Sequence, residues 1–284
     1  MPPVSLPGTQ VLEIPGGWQL WLAVPDAPAP PAGFPVVWLL DANACFGTAL
    51  ETLRISAARQ KVTRMAPAIL AGIAYPTEGG FDRARRGFDY TAGPPSEEPH
   101  RGASGGRDGF RDMLRDLARP LVARQAPIDP ARQIIIGHSL AGNLVLDLLA
   151  HDRALFSGYG ALSPSIWWDR PRLLRGLAKT ADARPDVFLA VGEWEEGLAP
   201  WEAGLPGAEE IAARRGRRGM VSNLREMATV LGSCLPQARI QAEVCAGETH
   251  ASMLPLGLLR SLRFLLASDA QVFLEERAVG EQRL

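Results

Sequence analysis

The segment Gly137-His138-Ser139-Leu140-Ala141-Gly142 sets a serine between an apolar run, Ile134-Ile135-Ile136, and a helix-forming stretch, Leu144-Val145-Leu146-Asp147-Leu148-Leu149. A serine on so sharp a strand-to-helix turn has a strained backbone and a hydroxyl that projects into a cleft, and its neighbours must be small. Gly137 and Ala141 meet that size requirement. The usual pattern has glycine two residues after the serine; here Ala141 stands there and Gly142 follows one place later. The chemistry such a turn serves is nucleophilic attack by Ser139 on an acyl carbon.

A hydroxyl attacks only when a base takes its proton, and the chain offers four histidines. His138 adjoins the serine and is expected to point away from it, His151 ends the following helix, and His100 lies in an irregular stretch. His250, in Gly247-Glu248-Thr249-His250 after the run Ile240-Cys245, stands where the last strand of such a sheet delivers its base, in the order serine, acid, histidine. The acid belongs after the preceding strand, where Val187-Phe188-Leu189-Ala190-Val191 runs into Gly192-Glu193-Trp194-Glu195-Glu196. Three glutamates compete: Glu195 is favoured, three residues beyond the glycine, with Glu193 next. A carboxylate there would fix the imidazole tautomer and stabilise imidazolium. Two N–H donors must face the oxyanion of a tetrahedral intermediate. Leu140, at the helix start, supplies one, and Ala42, in the turn Asp41-Ala42-Asn43-Ala44, the other; Asp41 and Asn43 also read as turn residues bonding their own backbone.

Positioning these groups requires a sheet. Short apolar runs alternate with helical patterns, which predicts a mostly parallel eight-stranded sheet with helices on both faces, an α/β-hydrolase fold. The strand candidates are Val11-Ile14, Gln19-Val24, Val36-Leu40, Ala68-Ala74, Gln133-Ile136, Ser157-Leu162, Val187-Val191 and Arg239-Cys245, the first two an antiparallel edge. Phe110, Met113, Leu114, Leu117, Leu121 and Val122 recur at helical spacing, as do Leu258, Leu259, Leu262, Leu265 and Leu266, and both stripes are expected to face the core. Pro25 to Pro35 reads as a surface connection. Two stretches, 79–109 and 197–219, break the rhythm as lid or binding loops; in the second, Ala208 to Arg215 reads as a short helix whose arginines form a solvated face.

The 284 residues, 46% apolar, are read as one domain spanning 1–284. A formal charge of −1 gives no global attraction to nucleic acid or an anionic membrane. The start of the chain has no basic-then-apolar pattern, and no later segment is apolar and long enough to span a bilayer, so a cytoplasmic protein is expected. Cys45, Cys234 and Cys245 show no paired spacing, so neither a disulfide framework nor a metal site is expected, and no cofactor.

Taken together, Leu40-Asp41-Ala42-Asn43-Ala44, Arg86-Gly87-Phe88-Asp89-Tyr90-Thr91, Gly137 to Gly142, Leu162-Ser163-Pro164-Ser165 and Thr249-His250 resemble the enterochelin-esterase-like (siderophore esterase) α/β-hydrolases over roughly Val36 to Pro255. That family includes cytoplasmic and periplasmic esterases that cut the trilactone of catecholate siderophores, and many general esterases. The resemblance implies Ser139 as nucleophile, His250 as base, the Ala42 and Leu140 amides as oxyanion donors, and Arg86 as a substrate contact. Two departures stand out: siderophore members often have glycine where Ala42 and Ala141 stand, and some work with a serine–histidine dyad, which weakens the need for Glu195. Trp167 and Trp168 could wall the site against an acyl or catechol ring, with core packing the competing role. The reading is a serine carboxylic ester hydrolase working through an acyl-enzyme on a small-molecule ester, a ferric catecholate siderophore or a related compound. The alternatives are a general carboxylesterase, a serine acyltransferase and a noncatalytic module on the same fold. Oligomeric state is not legible.

Overall fold

Eight strands, β1 (Thr9–Ile14), β2 (Trp18–Ala23), β3 (Phe34–Leu39), β4 (Ile69–Ala74), β5 (Ile128–His138), β6 (Gly158–Leu162), β7 (Asp186–Gly192) and β8 (Arg239–Cys245), form one sheet in the computed structural model, which describes residues 5–96, 98–178 and 183–267. Their order is β1-β2-β4-β3-β5-β6-β7-β8. The β1–β2 and β2–β4 pairs are antiparallel and every pair from β4–β3 onward is parallel. This is the α/β-hydrolase arrangement expected from the alternation of apolar runs and helical patterns.

Strand periodicity divides the core in two. Val36, Trp38 and Ile135 point to one face, packing with Phe110, Leu144, Leu148, Leu173, Leu224 and Leu231, which come from helices on that side. Val37, Leu39, Ile134 and Ile136 point to the other, packing with Phe46 and Leu50 of helix Ala42–Ala57 and with Leu258 and Leu262 of helix Met253–Leu265. Burial on both faces is why the parallel strands read as continuous apolar runs.

Two apolar stripes need correction. In the helical stretch that begins at Arg107, Leu117 is 41% exposed while Ala118 is buried. A π-helical turn, Leu114–Ala118, intervenes before Pro120, which has no N–H to donate, and the extra residue rotates Leu117 outward. Leu259 is 47% exposed, since on helix Met253–Leu265 the buried face runs through Leu258, Leu262 and Leu265. Pro35 likewise lies inside β3, so the connection from Pro25 ends earlier than expected.

The excursions carry local structure. Within 79–109 lies helix Arg83–Asp89, capped by the Asp82 carboxylate, which accepts from the Arg85 N–H at 3.0 Å. Within 197–219 lie a 3₁₀ turn, Pro200–Glu202, and helix Ala208–Arg218. The arginines of that helix do not form a purely solvated face: Arg214, Arg215 and Arg218 line the cleft described below. Among the described residues no helix is long and apolar enough to cross a membrane.

Candidate active site

The carboxyl ends of the parallel strands gather the polar groups, as open α/β sheets do. Three residues there hold a left-handed φ although none is glycine: Asp41 after β3 (53°), Ser139 after β5 (61°) and Ser163 after β6 (41°). Each such conformation costs about 1–3 kcal/mol; one further non-glycine residue, Arg64, has a positive φ at a helix end, but these three fall together at the ends of adjacent strands. At Ser139 the strain is imposed by packing. A Cβ on Gly137 would lie 2.6 Å from the carbonyl carbon and oxygen of Ala141, so only glycine lets the helix Leu140–His151 fold back this tightly. The Ser139 N–H donates to the Leu162 carbonyl (2.9 Å), and the Ser139 carbonyl accepts from Asn143 and Ser165 (3.0 Å each). Its Oγ lies 3.4 Å from Ser165 Oγ.

Of the three glutamates after β7, Glu195 is the one placed against His250. Its Oε2 lies 2.6 Å from His250 Nδ1, while Oε1 accepts from the Gly192 N–H (2.7 Å) and the Ser163 hydroxyl (2.5 Å). The carboxylate is buried and fully occupied by donors, which fixes its orientation. With Nδ1–H donating to it, Nε2 of His250 is the ring atom left to accept a proton. Glu193 instead accepts from the Gly247 N–H at 2.7 Å, and Glu196 binds Ser222.

His138 packs against His250. Its ring lies 4.6 Å from that of His250, and its Nε2 is 2.8 Å from the His250 carbonyl oxygen. Burial, reinforced by the neighbouring His250, holds the His138 imidazole well below its usual range, down to about 3, so it is neutral. His151 and His100 lie elsewhere, the first near Asp147 and the second edge-on to Trp168.

Leu140 and Ala42 are each the first residue of a helix, where N–H groups have no intrahelical acceptor. Those helices follow β5 and β3, which are hydrogen-bonded neighbours as far as the Leu40 N–H to Ile136 carbonyl bond of 3.0 Å. Asp41, between β3 and Ala42, is buried and accepts from Arg86 Nε (3.2 Å), Arg86 Nη2 (2.8 Å) and the Tyr90 hydroxyl (3.1 Å). Burial and the Asp41 charge raise the Tyr90 phenol well above its usual range, so it stays a donor. Arg86 Nη2 also reaches the His138 carbonyl at 3.4 Å, tying the end of β3 to that of β5.

A cleft of about 370 Å³ is lined by Ser139, Leu140, Glu195, His250, Arg86, Trp167 and Trp168, and also by Ser165, Met220, Arg214, Arg215 and Arg218. Trp168 is nearly buried and donates to the Gly93 carbonyl at 3.0 Å, while Trp167 is half-buried. Sequence reasoning assigned no role to Ser163, Ser165 or His138. The Ser163-Pro164-Ser165 segment was a visible signal; nothing in the spacing of Met220 betrays its place.

Strained serine elbow, histidine and buried carboxylate at successive strand ends define an α/β-hydrolase cleft. A family described as "Putative esterase" matches residues 18–221, and the chain belongs to it. The chain is similar to the ferri-bacillibactin esterase BesA of Bacillus subtilis, at 34% identity over 93% of this chain and 92% of that one. It is similar as well to a siderophore triacetylfusarinine C esterase of Aspergillus fumigatus, at 30% identity over 80% of each. Among solved structures it matches the BES protein of Bacillus cereus (27% identity, TM-score 0.77, covering 93% and 97%) and the siderophore hydrolase EstB of Aspergillus nidulans (26%, 0.80, 95% and 99%). The protein is an ester hydrolase.

Proposed function

We propose that this esterase hydrolyses an ester of an iron-chelating siderophore through an acyl-enzyme on Ser139. One observation carries the mechanism: the 2.6 Å contact of Glu195 with His250, beside a serine held in the strained elbow and opening on the same cleft. The Ser139 hydroxyl proton passes to His250 Nε2 as Oγ bonds to the ester carbonyl carbon. The Ala42 and Leu140 N–H groups receive the negative charge on the carbonyl oxygen. His250 then returns its proton to the alcohol oxygen as the C–O bond breaks, and water repeats the sequence on the acyl-serine. Glu195 holds the imidazole and stabilises its charged form throughout.

The substrate class rests on the names of the full-length relatives and on the aromatic wall of Trp167 and Trp168, which suits a ring-bearing ligand. We place the reaction in the cytoplasm, a reading supported by three free cysteines, Cys45, Cys234 and Cys245. The test is incubation of the protein with ferric and apo forms of a catecholate trilactone and with neutral aryl esters, products being followed by mass spectrometry. Linear fragments, their loss in Ser139→Ala, and labelling of Ser139 by an organophosphonate are expected. Turnover of the aryl esters alone would leave a general esterase, and a label on another residue would end the serine assignment.

A further inference from the structure

Helix Ala208–Arg218 carries four arginines near its end, and they are not equivalent. Arg215 is committed to the excursion itself, donating to Glu202 at 2.6 and 2.9 Å and to the Gly197 carbonyl at 2.8 Å. Arg218 lies with its guanidinium carbon 4.0 Å from the Trp167 ring centroid while its Nε and Nη2 donate to the two oxygens of Glu98 at 3.1 and 2.8 Å. Arg214 and Arg217 are exposed and have no carboxylate within ion-pair distance among the described residues.

The stacked Arg218 and Trp167 form a wall shared by two cavities. On one side is the catalytic cleft; on the other is a pocket of about 180 Å³ lined by Glu98, Trp167, Arg217 and Arg218. Around this wall, among the described residues, Arg218 is paired with Glu98, while Arg214 and Arg217 have no carboxylate within ion-pair distance. The Arg218 hydrogen bonds hold the Glu98 carboxyl below its ordinary range, with Arg217 and Arg214 adding to the effect. An indole face backed by forked donors fits a flat ring bearing an anionic oxygen, since the ring stacks while the guanidinium binds its charge. The Glu98 carboxylate already sits where that oxygen would be bound.

We propose that this pocket is a subsite for an anionic aromatic portion of the substrate, and that Glu98 is a built-in competitor displaced when the subsite fills. The proposal rests on the siderophore-ester reading only for which ester uses the subsite, since binding itself needs no turnover.

The experiment is calorimetric titration of Ser139→Ala protein with 2,3-dihydroxybenzoate and with its neutral isostere 2,3-dihydroxybenzamide. The benzoate is expected to bind roughly tenfold or more tightly than the amide. In the same background Arg218→Gln should reduce that preference to about twofold or less, and exposed Arg217→Gln should reduce it in the same direction if the Arg218 variant does not fold. Glu98→Gln should tighten benzoate binding by roughly threefold or more, because the competitor is gone. Equal affinity for the two ligands, or no benzoate binding, overturns the subsite. Weaker benzoate binding in Glu98→Gln overturns the competitor, since Glu98 would then organise Arg218 for the ligand. Failure of the siderophore reading shows separately, as absent trilactone turnover by the wild-type protein.

Discussion

His138 donates its Nε2–H to the backbone carbonyl of His250 across 2.8 Å, so the residue before the proposed nucleophile holds the residue proposed as its base. A carbonyl can only accept, which fixes the His138 tautomer, and the ring cannot take a second proton without placing charge 4.6 Å from the His250 ring.

That burial makes stability depend on acidity. The His138 value is about 3 in the folded protein and about 6.5 in the unfolded chain. Between those values the unfolded state binds the proton and the folded state does not, so stability falls as pH falls through this window. By pH 5 the loss from this group is about 2 kcal/mol. Denaturant unfolding of the wild type and of His138→Gln at pH 7 and pH 5 measures it; the wild type should lose that much more than the variant. Parallel losses in the two proteins would show that His138 protonates without penalty.

Glu195 has a hydrogen-bond set that grades the expected effects. Glu195→Gln should lower kcat by roughly a hundredfold or more with little change in KM, because the imidazole loses the charge that orients and stabilises it. Ser163→Ala removes one of the two donors to Glu195 Oε1 and should cost roughly tenfold. Glu193→Gln should have little effect. A Glu195→Gln enzyme close to wild type would establish a serine–histidine dyad.

Arg86 was expected from the family resemblance to meet substrate, yet its guanidinium is taken up by the buried Asp41 beside Ala42. Arg86→Ala leaves that carboxylate unpaired, at a cost of about 3–5 kcal/mol, and loosens the turn presenting the Ala42 N–H. Activity should therefore fall on neutral and anionic esters alike, with a lower melting temperature. A loss confined to anionic esters would instead assign Arg86 to substrate recognition.

Gly137→Ala tests the elbow itself. The added methyl would meet the Ala141 backbone at 2.6 Å, so either the helix shifts or the turn opens, at about 1–3 kcal/mol. Reduced thermal stability and loss of phosphonate labelling at Ser139 are expected. Normal labelling kinetics would show that the turn tolerates the group.

The strand runs and the tight turn at Ser139 were legible in the sequence because each is a local pattern. Apolar periodicity reports burial on two faces, and a strand followed by small residues around a serine reports a tight turn. Which of Glu193, Glu195 and Glu196 stands against His250 is visible only in three dimensions, since neighbouring residues on a turn point in different directions and Glu195 alone of the three meets an imidazole 55 positions away. The same holds for Arg86, whose partner Asp41 is 45 residues distant, and for Leu117, turned outward by a π-helical turn that a regular helical period does not contain. The arginines of 214–218 have the composition of a solvated face. They border a cleft because Arg218 finds Glu98 and Trp167, 120 and 51 positions earlier in the chain, and a sequence does not record such distances.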